Sequence, residues 1–96
     1  MSLPELYFFH RDDCEVCAVA KPVFQKWRME HPEVICVELN CTHRDWRKYD
    51  FRPKQTPAYL LAVDFKPIGH IEGALTTTRL IDRFVKVAQV NARRAG

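Results

Sequence analysis

Two apolar runs in the first forty residues constrain the fold more than any other feature of the chain. Residues 6–10 form a short apolar and aromatic run, and residues 34–39 form a second one, in which Ile35, Cys36 and Val37 are consecutive. An apolar run without polar alternation is typical of a strand buried on both faces, as in parallel sheets. Two such strands joined by a helix are expected to be parallel, with a right-handed crossover.

The segment between the two runs has the periodicity of a helix. Apolar residues recur there at spacings of four and three, which indicates one face of a helix. Asp12 or Asp13 can cap its start, Pro22 should kink it, and His31-Pro32 should end it. The predicted apolar stripe consists of Val16, Ala20, Val23 and Trp27, widened by Phe24.

The rest of the chain predicts a short helix through Trp46 and Tyr49, then a hairpin, then a last helix. Residues 58–63 form a strongly apolar strand, and turn residues 64–67 separate it from a second strand at 68–71. The last helix should run from threonines 76–78 to about Asn91, with fraying beyond it, on an apolar face of Leu80, Phe84, Val87 and Ala88. We therefore predict one three-layer α/β domain, residues 1–96, with a central mixed four-stranded sheet flanked by helices.

Composition excludes several classes of function. The 96 residues carry 15 Lys and Arg against 12 Asp and Glu, a net charge of +3 with both signs mixed along the chain. Nucleic-acid binding would need clustered basic residues, and the longest uncharged stretch, 55–63, is far shorter than the ~20 residues of a membrane span. The N-terminus lacks the pattern of a secretory signal. We expect a cytoplasmic monomer that binds neither nucleic acid nor membrane.

The four cysteines point to redox or metal chemistry rather than to a disulfide scaffold. Cys14-Glu15-Val16-Cys17 stands where the first strand gives way to the first helix. A thiol in the first turn of a helix faces unpaired backbone N–H groups and the positive end of the helix dipole, which favour the thiolate. The thiolate is the form that attacks a disulfide. A second cysteine three residues later can then attack the mixed disulfide and release the reduced substrate.

The combination of motifs resembles thioredoxin over nearly the whole chain. Pro22 follows the second cysteine by five residues, Thr56-Pro57 leads into an apolar strand, and Gly73-Ala74-Leu75 precedes the last helix. The resemblance implies a thioredoxin fold, with Cys14 as the exposed nucleophile and Cys17 as the resolving thiol. It also implies a cis Thr56–Pro57 peptide bond beside them, where the preceding backbone is free to pair with an extended substrate segment.

The chain departs from thioredoxin around the cysteines. Asp13 stands where thioredoxin has Trp, Glu15-Val16 where it has Gly-Pro, and Phe8 where it has a buried aspartate that assists proton transfer. Glutaredoxin is a poorer match, because its Cys-Pro-Tyr-Cys and Gly-Gly-Asp motifs are both absent. Since the nearest charges are acidic, we hypothesise that the Cys14 thiol is less acidic than a thioredoxin nucleophile, which a measured pKa below about 6 would contradict.

The predicted function is thiol–disulfide exchange with protein substrates, needing no organic cofactor and no metal. A partner reductase or oxidant protein would supply or remove the electrons. The alternatives are a redox-inert binding module, a CxxC metal site, and an oxidoreductase linked to glutathione. Cys36 is expected to be a small buried hydrophobe. Cys41 is either an ordinary loop thiol or, if the first two strands are neighbours, a regulatory or resolving thiol near Cys14.

Overall fold

The computed structural model describes residues 3–42, 51 and 53–95. The predicted short helix through Trp46 and Tyr49 lies outside these residues. Neither helix of the described part combines the length and the apolar character needed to cross a membrane. In chain order the described elements are β1 (Pro4–His10), α1 (Glu15–Glu30), β2 (Ile35–Asn40), β3 (Ala58–Val63), β4 (Lys66–Glu72) and α2 (Thr78–Ala95).

The four strands form one mixed sheet in the order β2-β1-β3-β4. β1 and β2 are parallel, whereas β3 is antiparallel to both β1 and β4. This arrangement confirms the predicted parallel pair and the predicted hairpin. In the parallel register Phe8 lies opposite Glu38 and His10 lies opposite Asn40. The carboxyl ends of β1 and β2 therefore meet at one edge of the sheet, next to the start of α1.

Alternate residues of the strands contribute to two separate apolar clusters, one on each face of the sheet, as the period of two in a strand requires. Both helices pack on the same face, where α1 and α2 close over Leu6, Phe8 and Tyr59. The other face carries a cluster without residues from either helix, to which Phe51 also packs. Its buried members are Tyr7, Phe9, Cys41, Ala58, Leu60 and Ala62.

The buried stripe of α1 differs from the predicted one. The helix buries Cys17, Ala20, Phe24 and Trp27, whereas Val16 is 52% exposed. Cys17 replaces Val16 because a thiol buries as readily as a small hydrophobe, and this rotates the start of the stripe by one residue. The rotation turns Cys17 toward the sheet and leaves Val16 on the surface beside the cysteine pair.

α2 shows the same kind of shift. The predicted face included Leu80 and Val87, which are 38% and 49% exposed, while Ile81, Val85 and Ala88 are buried. Spacings of four and three fit both sets, so the periodicity gave the helix but not its rotation. Contact between α2 and β4 determines the rotation of α2, because Gly69 has no side chain and leaves room for Ala88. A Cβ on Gly69 would lie 2.7 Å from the Cβ of Ala88.

Two predicted boundaries are wrong. The hairpin turn consists of Asp64 and Phe65 alone, both with left-handed φ of 54° and 63°, and Lys66 already belongs to β4. A turn with two left-handed residues needs only these two positions, because its twist matches that of the strands. α2 continues to Ala95 instead of fraying, and Arg93 and Arg94 in its last turn interact favourably with the helix dipole.

Candidate active site

Cys14 caps the amino end of α1. Its backbone is extended, with φ −112° and ψ 104°, and its Sγ accepts a hydrogen bond from the backbone N–H of Cys17 at 3.1 Å. The prediction that Asp12 or Asp13 caps the helix is therefore wrong. Asp12 instead ties the ends of β1 and β2 together, since its Oδ1 accepts from Asn40 Nδ2 at 2.7 Å. A sulfur thus occupies the place of the usual capping oxygen.

Cys14 and Cys17 are joined as a disulfide, with their Cα atoms 5.2 Å apart. The two side chains differ in exposure: Cys14 is partly exposed, whereas Cys17 is 2% exposed. The accessible sulfur is therefore the one at the helix end, and the buried sulfur of Cys17 lies behind it. Within residues 3–42, 51 and 53–95, no three His, Cys, Asp or Glu side chains are grouped so that they could hold a metal ion.

Thr56 and Pro57 lie beside this sulfur, although they are some forty positions away in the sequence. The Sγ of Cys14 is 3.6 Å from the carbonyl oxygen of Thr56, and the Thr56–Pro57 peptide bond is cis. The buried Pro57 accepts a hydrogen bond through its carbonyl from the N–H of Gly73 at 2.8 Å. The structure therefore brings together all four residues that the sequence predicted for the site.

A cavity of about 200 Å³ adjoins the two cysteines, and its lining includes the buried side chain of His10. The imidazole of His10 stacks on Phe8, with ring centroids 5.5 Å apart. Burial and the positive charge of Lys21 lower the pKa of His10, and the negative charges of Glu38 and Asp12 oppose this. The full lining is His10, Arg11, Asp12, Cys14, Cys17, Ala18, Lys21 and Asn40.

Glu38 is a charged neighbour of this cavity that the sequence did not single out. Lys21 Nζ lies 3.9 Å from its Oε2, and Gln25 donates a hydrogen bond to its Oε1 at 3.0 Å. Glu38 interrupts the apolar run of β2, and the parallel register sets it opposite Phe8, on the face that α1 covers. That interruption, combined with the register, is the signal that would have located it.

Comparisons with known proteins bear on the fold. Neither a protein-family model nor a curated protein matches the sequence. Solved thioredoxin structures do match: spinach chloroplast thioredoxin f superposes with a TM-score of 0.72 at 18% identity, covering 95% of this chain and 78% of the other. This chain has the thioredoxin fold. Fasciola hepatica thioredoxin gives 0.72 at 20% identity, with 88% and 80% covered. Yeast mitochondrial thioredoxin 3, in its oxidized form, gives 0.73 at 19%, with 86% and 76% covered.

Phe8 occupies the position at which thioredoxin has a buried aspartate. Phe8 is fully buried, and its ring stacks on that of Phe24, with centroids 4.9 Å apart. Tyr59 packs against the same ring at 5.2 Å. The side chain at this position therefore cannot take part in proton transfer, whereas the lining of the cavity beside the two cysteines contains polar and charged side chains.

The other two cysteines are free and lie on opposite faces of the sheet. Cys36 belongs to the cluster under the helices, as predicted, and burial raises its pKa to about 11. Cys41 follows β2, where its N–H donates to the carbonyl of His10 at 2.7 Å. Its side chain packs in the cluster with Tyr7 and Phe9, and burial raises its pKa. Cys41 is not part of the lining of the sulfur cavity.

Proposed function

We propose that this protein is a thiol–disulfide oxidoreductase that acts on protein disulfides. One observation carries the proposal: a partly exposed sulfur caps a helix and is paired with a buried sulfur one turn further on. The backbone N–H of Cys17 and the helix dipole both stabilise negative charge on Cys14. The accessible cysteine is thereby favoured as the attacking group, and the enclosed one as the resolving group.

The reaction follows from this asymmetry. In the reduced protein the Cys14 thiolate attacks one sulfur of a substrate disulfide, and the other substrate sulfur leaves with the electron pair. Cys17 then loses its proton and attacks Cys14, which forms the Cys14–Cys17 disulfide and releases the second substrate sulfur. Two electrons pass from the dithiol to the substrate.

The substrate is proposed to dock around Thr56, Pro57 and the apolar surface beside the cysteines. The loop before Thr56 is held in place because the N–H of Lys54 donates to Glu72 Oε1 at 2.7 Å. Val16 is 52% exposed next to the pair, which offers an unfolded or extended segment an apolar contact. These features fit a protein substrate, since backbone groups and a small apolar surface recognise a chain rather than a particular side chain.

A partner protein must return the site to its starting state, because the two sulfurs hold only two electrons. We propose that a reductase or oxidant protein does this by exchange with the exposed Cys14 sulfur. The cytoplasmic location and the monomeric state remain predictions.

Reduction of insulin by dithiothreitol, followed as precipitation of the released chains, tests the proposal. We expect the wild-type protein to accelerate it, and Cys14→Ser to abolish the acceleration. When reduced Cys17→Ser is mixed with insulin in the absence of dithiothreitol, it should instead accumulate a covalent mixed disulfide with the substrate, because the first attack proceeds and the second cannot. Trapping through Cys17 in a Cys14→Ser variant would reverse the assigned roles, and no acceleration by the folded wild type would reject the function.

A further inference from the structure

The buried position of Cys17 raises a question about its proton. With 2% exposure, Cys17 has little direct contact with bulk water, and burial disfavours the thiolate that it must become in order to attack. A base close to Cys17 would therefore assist the resolving step. Phe8, fully buried between aromatic rings, cannot serve.

The residues that line the cavity beside Cys14 and Cys17 limit which group can accept the proton. The side-chain ends of Arg11 and Lys21 offer only hydrogen-bond donors, and the Asn40 amide is not a base. Asp12 is exposed, and its Oδ1 already accepts a hydrogen bond from Asn40 Nδ2 at 2.7 Å. Of the described residues that line the cavity, His10 remains as the neutral base.

The surroundings of His10 keep it suited to accept a proton. His10 is 8% exposed, and its ring stacks on Phe8 with 23° between the planes. Desolvation and Lys21 from α1 lower its pKa, so the imidazole is neutral at pH 7, while Glu38 from β2 and Asp12 after β1 stabilise the imidazolium once it forms. The cavity has room for water, which can relay a proton between groups that both border it.

We propose that His10 is the general base that takes the proton of Cys17 in the resolving step, an inference that rests on the proposed function. The S–H bond of Cys17 breaks and its proton passes to a ring nitrogen of His10. The freed electron pair forms the bond to Cys14 Sγ, the bond between Cys14 and the substrate sulfur breaks, and that sulfur leaves as a thiolate. The imidazolium then returns the proton to the substrate thiolate or to solvent, so that the substrate disulfide is the only oxidant required.

Rapid mixing of the fully reduced protein with Ellman's reagent separates the two attacks. The first release of thionitrobenzoate reports attack by Cys14 and depends on reagent concentration. The second reports attack by Cys17 on the mixed disulfide and does not depend on concentration. With a general base, the second rate is nearly flat between about pH 6.5 and about pH 8.5. Without one, it rises about tenfold per pH unit until the thiol ionises.

We expect His10→Gln to slow the second phase about 100-fold at pH 7, within the usual range for general-base catalysis, and to leave the first phase unchanged. The flat region should be replaced by a rise with pH. His10→Phe keeps an aromatic ring against Phe8 and should behave in the same way. His31→Gln is the matched control. It also removes a stacked histidine, whose ring centroid lies 3.9 Å from that of Trp27, but His31 does not line the cavity. This variant should show both the second-phase rate and the flat pH profile of the wild type.

Two charge variants keep His10 in place and guard against misfolding of the His10 variants. Lys21→Met should move the lower edge of the flat region to higher pH, and Glu38→Gln should move it to lower pH. In each variant this edge should coincide with the pKa of His10 measured by NMR. A second phase of wild-type rate and profile in the His10 variants would overturn the proposal, as would an edge that does not follow the pKa of His10. A wild-type protein without any second phase would reject the proposed function itself.

Discussion

The chain holds two pairs of cysteines whose surroundings differ in almost every respect. Cys14 and Cys17 stand at the amino end of a helix and are bonded to each other. Cys36 and Cys41 are free and lie in the apolar clusters on opposite faces of the sheet. Charged and polar side chains line the cavity beside the first pair, whereas the side chains of the second pair pack in apolar clusters. Cys14 is thus placed where the thiolate is stabilised, and Cys36 and Cys41 are placed where burial disfavours it.

The chemistry of a cysteine in this protein therefore depends on its place in the fold rather than on the residue type alone. A helix end supplies N–H groups that favour the thiolate, whereas an apolar cluster disfavours any charge. The first pair should therefore react and the second should only pack. Four measurements test this difference between the two pairs.

Removing each pair in turn should give the largest effect. We expect Cys14→Ala/Cys17→Ala to lower the rate of insulin reduction by at least about 1,000-fold, because the attacking group itself is lost. Cys36→Ala/Cys41→Ala should keep the rate within about twofold at 25 °C, since each change removes only one buried sulfur atom from the packing. Circular dichroism must show both variants folded. A folded Cys36→Ala/Cys41→Ala protein that has lost activity would contradict the proposed difference between the two pairs.

Alkylation should reveal the same contrast in the reduced wild-type protein. With its pKa raised to about 11, only about one Cys36 thiol in ten thousand is ionised at pH 7. We expect iodoacetamide to modify Cys14 at least about 100-fold faster than Cys36, as measured by mass spectrometry of peptides over time. In urea the two rates should converge, because unfolding removes both environments. Comparable rates in the folded protein would show that burial does not protect Cys36.

The sequence predicted the sheet well because its strands are short apolar runs with clear ends. β3 was predicted with its observed bounds, Ala58–Val63, and the parallel pair followed from the helix between two such runs. The rotation of the helices was not predictable from periodicity, since Val16 and Cys17 both complete a stripe with Ala20. Only packing against the sheet decides which of the two is buried.

The sequence also predicted which residues meet at the site, because the CxxC motif at Cys14 and the Thr56-Pro57 dipeptide occur in combination in the family that the chain resembles. It did not predict the polar surroundings of the second sulfur. Neither His10 nor Glu38 is among the site residues that the sequence predicts. Both positions depend on the register between β1 and β2, a non-local property that no local pattern encodes.

The stability of the folded protein should depend on pH through Cys36. Burial raises its folded pKa from 9.0 to about 11, so the neutral thiol is favoured in the folded state. Its contribution is therefore fully present below about pH 9 and is lost as the pH rises to about 11. Between pH 8 and pH 10.5, the free energy of unfolding of the reduced wild type should fall by about 2 kcal/mol more than that of Cys36→Ala.

Urea denaturation at the two pH values measures this difference. Cys41→Ala provides the comparison within the pair, because burial also raises the pKa of Cys41, and it should change the pH dependence in the same direction. If wild type and Cys36→Ala have the same pH dependence, the Cys36 thiol must be as well solvated in the folded state as in the unfolded state.

The smallest effect should come from a charge beside the reactive pair. Glu15 is exposed in the first turn of α1, where its carboxylate opposes the thiolate of Cys14. In a Cys17→Ser background, we expect Glu15→Gln to speed alkylation of Cys14 at pH 7 by about two- to fourfold, as surface charges contribute below about 1 kcal/mol. Glu30→Gln, at the far end of the same helix, should have no effect. In 1 M salt the Debye length is about 3 Å, so the gain should vanish there if it is electrostatic. A gain that persists in salt would instead mean that Glu15 shields the sulfur sterically, and access rather than charge would then set the reactivity of Cys14.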